Sequence, residues 1–135
     1  MLLLGIDIGT SSIKVSVTDA QTGLGIASGQ FPEDTESGII SVQPGWAEQS
    51  PEMWWDHVKN AIRKANASGK YNPKDIGAIG IAYQMHGLVI VDKQQQVLRN
   101  SIIWCDSRAV EIGNKASHAI GEEKTLSHLL NSPGN

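Results

Sequence analysis

An apolar segment that turns back on itself through glycine and hydroxyl residues opens the chain and most constrains its fold. Residues 2–8 are apolar apart from Gly5 and Asp7, and residues 12–19 alternate apolar and polar side chains. Runs of this kind are typical of strands, and the Gly-Thr-Ser-Ser sequence between them is a turn. We therefore predict two antiparallel strands at the N-terminus and a third strand over residues 24–31, which together form a meander.

The turn itself suits a phosphate group. Thr10, Ser11 and Ser12 bring hydroxyl and backbone N–H groups to one point. Asp7 lies beside the turn, where an acid helps to hold a hydrated magnesium ion, and Lys14 follows on the alternating strand. The spacing is neither that of a Walker A loop nor that of a dinucleotide fingerprint. A purely structural turn is the alternative, but an Asp7 buried without a partner would cost a few kcal/mol, which favours function.

The rest of the chain alternates helical and strand patterns. Ser50 and Pro51 are typical of a helix start, and Ser68 with Gly69 of a helix end. An almost wholly apolar run predicts a strand buried on both faces. The further predictions are a buried strand at 76–83, a hairpin of 88–91 with 97–103, helices at 106–120 and 122–130, and a turn-forming string at 131–135. This order predicts an α/β fold, a mixed sheet with flanking helices.

Two further segments carry candidate ligand-binding residues. Gln84, Met85 and His86 follow the predicted buried strand, and polar side chains at the carboxyl end of such a strand line crevices. Trp104 and Asp106 combine a flat apolar ring with a carboxylate, a pairing that suits a sugar. Structural alternatives remain open: His86 as a satisfied structural histidine, Met85 and Trp104 as core residues, and Asp106 as a helix cap.

Composition excludes several classes of partner. The 135-residue chain carries a net charge of -3 and no basic cluster, so no nucleic acid is expected. Cys105 is the single cysteine and has no His beside it, which excludes an intrachain disulfide and supports neither a metal site nor a nucleophile. No segment approaches the roughly 20 apolar residues that cross a membrane. We predict a cytoplasmic protein without a membrane partner.

Taken together, several segments resemble the start of the FGGY family of carbohydrate kinases, and within it the members that phosphorylate D-xylulose. The matching segments are Gly5–Ser12, Pro44–Gln49, Trp54-Trp55, Gln84–Gly87 and Trp104–Arg108. Glycerol-phosphorylating members have Arg-Glu where this chain has Met85-His86, which favours a pentulose.

The resemblance implies a ribonuclease-H-like fold of the actin and hexokinase superfamily, with ATP and Mg²⁺ required. It implies that the hydroxyl residues of the turn and Lys14 form the ATP phosphate loop, and that Asp7 reaches the magnesium ion through water. The implied ketose site contains Gln84, Met85, His86, Trp104 and Asp106.

The chain departs from the family in length. Family members are several times longer, and their general-base aspartate lies in a second half with a Gly-Gly-Asp-type motif. Residues 1–135 are therefore predicted to be a partial N-terminal domain, with the C-terminal nucleotide-binding domain absent. Such a fragment is expected to be inactive alone and to self-associate. The alternatives are a family member acting on ribulose, fuculose or gluconate, and a non-catalytic binding domain that retains the phosphate loop.

Overall fold

The computed structural model describes residues 1–34 and 38–130. The string at 131–135, predicted as a turn, lies outside the described residues. The elements are β1 (Leu2–Ile8), β2 (Ile13–Asp19), β3 (Gly25–Phe31), β4 (Glu48–Gln49), α1 (Pro51–Ala67), a 3₁₀ turn (Pro73–Asp75), β5 (Ile76–Tyr83), β6 (Ser101–Ile102), α2 (Val110–Ile120) and α3 (Glu122–Leu129).

The main sheet has the strand order β3-β2-β1-β5. β1 pairs antiparallel with β2 from Leu2 opposite Asp19 to Ile8 opposite Ile13, and β2 pairs antiparallel with β3. β5 pairs with β1 in the parallel direction. The predicted meander and the predicted mixed sheet are thus confirmed, and the one parallel pairing uses α1 as its crossover.

Helix α1 covers one face of the meander. Ser50 caps it by accepting a hydrogen bond from the backbone N–H of Met53 at 3.3 Å, and Pro51 occupies its first turn. Alternate side chains of β1 and β2 point toward α1, because side chains on a strand alternate between the two faces. The resulting core is Leu2, Leu4, Ile6, Ile13, Val15, Val17, Val58, Ala61 and Ala65.

The prediction that residues 76–83 are buried on both faces is wrong. β5 is a strand, but Ile79, Ile81 and Tyr83 on its α1-facing side are exposed. The reason is that α1 lies mainly over β3 and β2, on the side of the sheet away from β5. Within the described residues, no other helix covers this strand.

Helices α2 and α3 pack mainly against each other. Ile112 and Ile120, two large apolar side chains of α2, are exposed. α2 begins at Val110 and not near residue 106, because the Asp106 carboxylate accepts the backbone N–H of Arg108 at 2.8 Å and holds a turn there.

A small second sheet joins the segment directly before α1 to the segment that follows β5. β4 pairs antiparallel with β6. Single bridges connect Leu88 with Ile102 and Val91 with Val97, which confirms the predicted hairpin in a reduced form. None of the helices formed by the described residues is both long enough and apolar enough to cross a membrane.

Candidate functional site

The turn between β1 and β2 is tight and depends on glycine. The backbone N–H of Gly9 donates to the carbonyl oxygen of Ser12 at 3.2 Å. A Cβ atom at Gly9 would lie 2.9 Å from that same oxygen, closer than any side chain tolerates. Ser11 is exposed and Ser12 is half-buried.

Asp7 and Lys14 lie directly opposite each other on β1 and β2, beside this turn. Both are exposed on the sheet face opposite α1, so the expectation of a buried Asp7 and its desolvation cost is wrong. They border a shallow groove of about 600 Å³. Small side chains form much of its floor, namely Gly5, Ser16, Gly80 and Ala82. The groove leaves room for a ligand between an acid and a base.

The chain leaves β5 at the same end of the sheet. The backbone N–H of Gln84 donates to the Ile8 carbonyl oxygen at 2.9 Å, which extends the pairing of β5 with β1. Met85 and His86 then turn outward and are exposed. His86 has a φ of 64°, in the left-handed region that a residue with a side chain rarely adopts. Backbone strain of this kind clusters at functional sites.

A hydrogen-bonded cluster, here called the amide network, joins the turn to the end of β5. The Thr10 hydroxyl donates to Gln84 Oε1 at 2.8 Å and accepts from Trp104 Nε1 at 2.9 Å. Gln49 Nε2 donates to the Thr10 carbonyl oxygen at 2.8 Å. Gln49 Oε1 accepts from Gln84 Nε2 at 2.9 Å and from Trp54 Nε1 at 3.0 Å. Thr10, Gln49, Trp54, Gln84 and Trp104 therefore form one connected unit.

The amide network brings the predicted phosphate and sugar residues together, but it also uses some of their polar groups. The Gln84 amide is engaged at both its oxygen and its nitrogen within the protein. The Trp104 N–H is likewise engaged. Trp104 is nevertheless 54% exposed, so its ring is accessible to a ligand. The groups directed outward are Met85, His86 and the Trp104 ring.

Asp106 belongs to a second polar cluster, around Arg108. Its side chain is only 2% exposed and accepts from the Ala47 backbone N–H at 2.7 Å and from Arg108 Nη2 at 2.7 Å. Arg108 also pairs with Glu48 at 2.8 Å and lies 3.8 Å above the Trp46 ring. Burial would raise the pKa of Asp106, but these hydrogen bonds outweigh burial and lower the pKa. Its carboxylate thus has protein partners, and contact with a sugar stays a prediction.

The same contacts also change the pKa of Arg108. The hydrogen bond to Asp106 and the further bond to Glu48 raise the pKa of its guanidinium above the usual value. The segment around Trp46 and the segment around Trp104 are therefore held together by charge as well as by β4 and β6.

Gln49 is the site residue that sequence reasoning missed. It ends Pro44–Gln49, one of the segments that carry the family resemblance, but no binding role was predicted for it. The available signal was its position at the end of that segment, directly before the predicted helix start at Ser50. Among the residues described, no group of three His, Cys, Asp or Glu side chains assembles a direct metal site.

The sequence profile described as the FGGY family of carbohydrate kinases, N-terminal domain, matches residues 2–132. The chain belongs to this family. The xylulose kinase of Escherichia coli (strain K12) is 33% identical over 134 residues, which cover 98% of this chain and 26% of the relative. The chain thus spans about a quarter of the length of that FGGY kinase.

Solved structures of other carbohydrate kinases share the fold. A ligand-bound xylulose kinase from Lactobacillus acidophilus matches with a TM-score of 0.77 and 27% identity, over 93% of this chain and 24% of that one. A Plasmodium falciparum glycerol kinase with ADP matches with a TM-score of 0.78 and 25% identity, over 93% of this chain and 24% of that one. The ribonuclease-H-like fold of the actin and hexokinase superfamily is therefore confirmed for this FGGY chain.

Proposed function

We propose that this chain is the N-terminal part of a kinase that transfers the γ-phosphoryl group of ATP to a primary hydroxyl of D-xylulose. The observation that carries the proposal is the position of Thr10. Its side chain contacts Gln84 at 2.8 Å and Trp104 at 2.9 Å, so the phosphate turn and the predicted ketose residues share one end of the sheet. A phosphoryl donor and a sugar hydroxyl bound there would be neighbours.

The residues on the exposed sheet face fit a nucleotide phosphate with its magnesium ion. Asp7 offers one exposed carboxylate, and a single carboxylate suits a Mg²⁺ ion that keeps several of its waters. When bound, that ion neutralises phosphate charge. Lys14 stands opposite Asp7 and adds a positive charge, while Ser11, Ser12 and the turn N–H groups donate to phosphate oxygens. These residues position the donor, and positioning dominates phosphoryl transfer.

Met85, His86 and Trp104 form the proposed ketose side. His86 can hydrogen-bond a sugar hydroxyl through either ring nitrogen, and the exposed Trp104 ring can pack against sugar C–H groups. The match to a xylulose kinase at 33% identity supports a pentulose. The fold does not distinguish substrates, since the glycerol kinase matches as well as the xylulose kinase does.

The general base and the nucleotide pocket are proposed to lie in a second half that follows these residues. A cytoplasmic location is part of the same proposal and rests on the lone cysteine and the acid in the N-terminal apolar run. The 135-residue chain alone is then inactive. Phosphorylation of D-xylulose by the pure chain would contradict this arrangement.

The deciding experiment is a coupled kinase assay of the protein that carries the second half, with ATP, Mg²⁺ and a panel of D-xylulose, D-ribulose, L-fuculose, gluconate and glycerol. D-xylulose is expected to give the highest kcat/KM. A different preferred sugar would reassign the substrate within the family, and no turnover with any sugar would favour a non-catalytic binding domain.

A matched pair of histidine variants locates the ketose site. His86→Gln is expected to lower kcat/KM for D-xylulose by roughly 10- to 100-fold, because a lost hydrogen bond leaves a polar partner unpaired. His118→Gln changes an exposed histidine on α2 and should leave kcat/KM unchanged. Equal effects of the two variants would show that His86 does not contribute to the ketose site.

A further inference from the structure

The two indole groups at the ends of the amide network fix the orientation of the amide between them. An indole N–H is a donor only. Because Trp54 Nε1 donates to Gln49 Oε1 at 3.0 Å, the carbonyl end of that amide faces Trp54. The opposite end, Nε2, is then directed to the Thr10 carbonyl oxygen at 2.8 Å. Gln49 therefore has one amide orientation that satisfies its partners.

The same reasoning fixes the Thr10 hydroxyl. Gln84 Nε2 donates to Gln49 Oε1 at 2.9 Å, which leaves Gln84 Oε1 to accept. The Thr10 hydroxyl supplies that donor at 2.8 Å. Trp104 Nε1 donates to Thr10 Oγ1 at 2.9 Å, as it must if the hydroxyl proton points toward Gln84. The proton of Thr10 is thus used inside the protein and is not available to a phosphate oxygen.

Gln49 connects the two parts of the proposed site without facing either ligand. Its side chain is fully buried. It lies on β4, directly before the Ser50 cap of α1, where pairing with β6 holds its backbone. From this position one amide contacts the main chain of the phosphate turn and the side chain at the end of β5.

We infer that Gln49 is a positioning residue that sets the separation between the phosphate turn and the ketose-binding end of β5. The Thr10 hydroxyl belongs to this linkage and is not a phosphate donor. The inference rests on the proposed function for its kinetic consequence, since donor and acceptor would sit on the two elements that Gln49 joins. Reacting atoms must approach to about 3–3.5 Å, and a misplacement of 1 Å costs roughly 100-fold in rate.

The kinetic test uses the protein that carries the second half. Gln49→Leu keeps the side-chain bulk and removes all the amide hydrogen bonds, so kcat for D-xylulose is expected to fall about 100-fold with a smaller change in KM. Val58→Ala removes buried volume from α1 in the core and serves as the control for general destabilisation. It should change kcat by less than about threefold. Equal losses in the two variants would reduce Gln49 to a structural residue and overturn the inference.

Thr10 variants test the linkage from its other side. Thr10→Val removes the hydroxyl and is expected to lower kcat, whereas Thr10→Ser retains the hydroxyl and restores kcat. The double variant Gln49→Leu with Thr10→Val should be no slower than the slower single variant, because both changes break one unit. Fully additive losses would show that Thr10 acts independently, as a phosphate ligand.

A ligand-free measurement separates this inference from the proposed function. In the NMR spectrum of the 135-residue chain, Gln49→Leu is expected to shift the Trp104 indole N–H signal and to speed its hydrogen exchange, because the two side chains are linked through Gln84 and Thr10. An unchanged Trp104 signal would overturn the linkage.

If Gln49→Leu does not fold, Gln49→Glu replaces it, since a carboxylate keeps the acceptor and loses the donor to Thr10. A wild-type protein inactive on every sugar would refute the proposed function, and the Trp104 signal would still decide the linkage.

Discussion

Ile6 and Ile81 are directly opposite each other on paired strands of one sheet, yet Ile6 is 8% exposed and Ile81 is 61% exposed. The difference marks two regions. In residues 1–67, α1 seals the meander and close apolar packing holds the structure. In residues 76–130, many large apolar side chains are exposed, and the amide network and the Arg108 cluster supply much of the linkage.

The comparison teaches that one sheet can be stabilised by different forces on neighbouring strands. Apolar packing does not depend on the charge state of side chains, whereas buried carboxylates and ion pairs do. Substitutions that remove volume or add it should therefore damage the first region most. Substitutions that remove a charge should damage the second region.

The matched isoleucines give the largest expected contrast. Ile6→Ala should lower the free energy of unfolding by about 3 kcal/mol, because it removes buried methyl groups and leaves a cavity. Ile81→Ala should change it by no more than about 0.5 kcal/mol, because the side chain is already exposed. Urea unfolding followed by circular dichroism measures both. Similar losses would mean that β5 is covered in solution.

If β5 is covered in solution, self-association is our proposed cause. The exposed Ile79, Ile81 and Tyr83 form an apolar row that a second copy could bury. Light scattering of the isolated chain should then show oligomers at high concentration, and Ile79→Ser with Ile81→Ser should return it to a monomer. A wild-type monomer at the same concentration argues against self-association.

A glycine pair tests the packing of α1 on β3. A Cβ atom at Gly29 would lie 2.2 Å from the Ala61 carbonyl oxygen, and backbone cannot move aside as a side chain does. Gly29→Ala is therefore expected to cost about 3 kcal/mol of unfolding free energy, at the upper end for overpacking. Gly25→Ala, on the same strand with open space around it, is the control and should cost nothing. Thermal unfolding of the two variants is the measurement, and equal melting temperatures would refute this packing.

Asp106 tests the charge-dependent region. Asp106→Asn keeps the shape and removes the charge that Arg108 and the Ala47 N–H contact, with an expected cost of about 2 kcal/mol at pH 7. Asp75→Asn changes an exposed carboxylate on the 3₁₀ turn and should be neutral.

The pH dependence of stability tests the contribution of the Asp106 charge. The pKa of Asp106 is lowered in the folded protein, so its stabilisation is complete above the unfolded value of about 3.9 and is lost as pH falls through the folded value. The difference between wild type and Asp106→Asn should therefore shrink in urea titrations as the pH is lowered below 4. A difference independent of pH would mean that the charge of Asp106 does not contribute to stability.

The helix cap gives the smallest effect. Ser50→Ala removes the hydrogen bond from the Met53 N–H and should cost about 1 kcal/mol. Ser68→Ala, at the other end of α1, is the control and should cost less, because its αR backbone needs no side-chain cap there. Guanidinium unfolding measures the free-energy cost of each variant. Equal costs would show that Ser50 does not act as a helix cap.

The sequence predicted the local elements well because each depends on nearby residues. Ser50 with Pro51, and the alternation along β2, are signals that do not require knowledge of what lies opposite. The burial of β5 was predicted wrongly because Ile79 and Ile81 look the same whether or not a helix covers them. Asp7 was wrongly placed in the interior because its strand is buried on one face only.

The site was predicted in part for the same reason. Thr10, Gln84 and Trp104 stood out as separate motifs, and the structure joins them through hydrogen bonds between residues far apart in sequence. Gln49 has no local pattern of its own. Its importance arises from partners such as Thr10, Trp54 and Gln84, which the fold brings around one amide and which no sequence periodicity indicates.

The position of β1 in the middle of the sheet has a consequence for biosynthesis. β1 leaves the ribosome before the other strands of its sheet and can pair early with β2, but its other neighbour, β5, is translated only after α1. At 5–20 residues per second the nascent chain spends several seconds with one edge of β1 unpaired. Unpaired edges recruit foreign strands, so this interval is when the growing polypeptide most needs a chaperone.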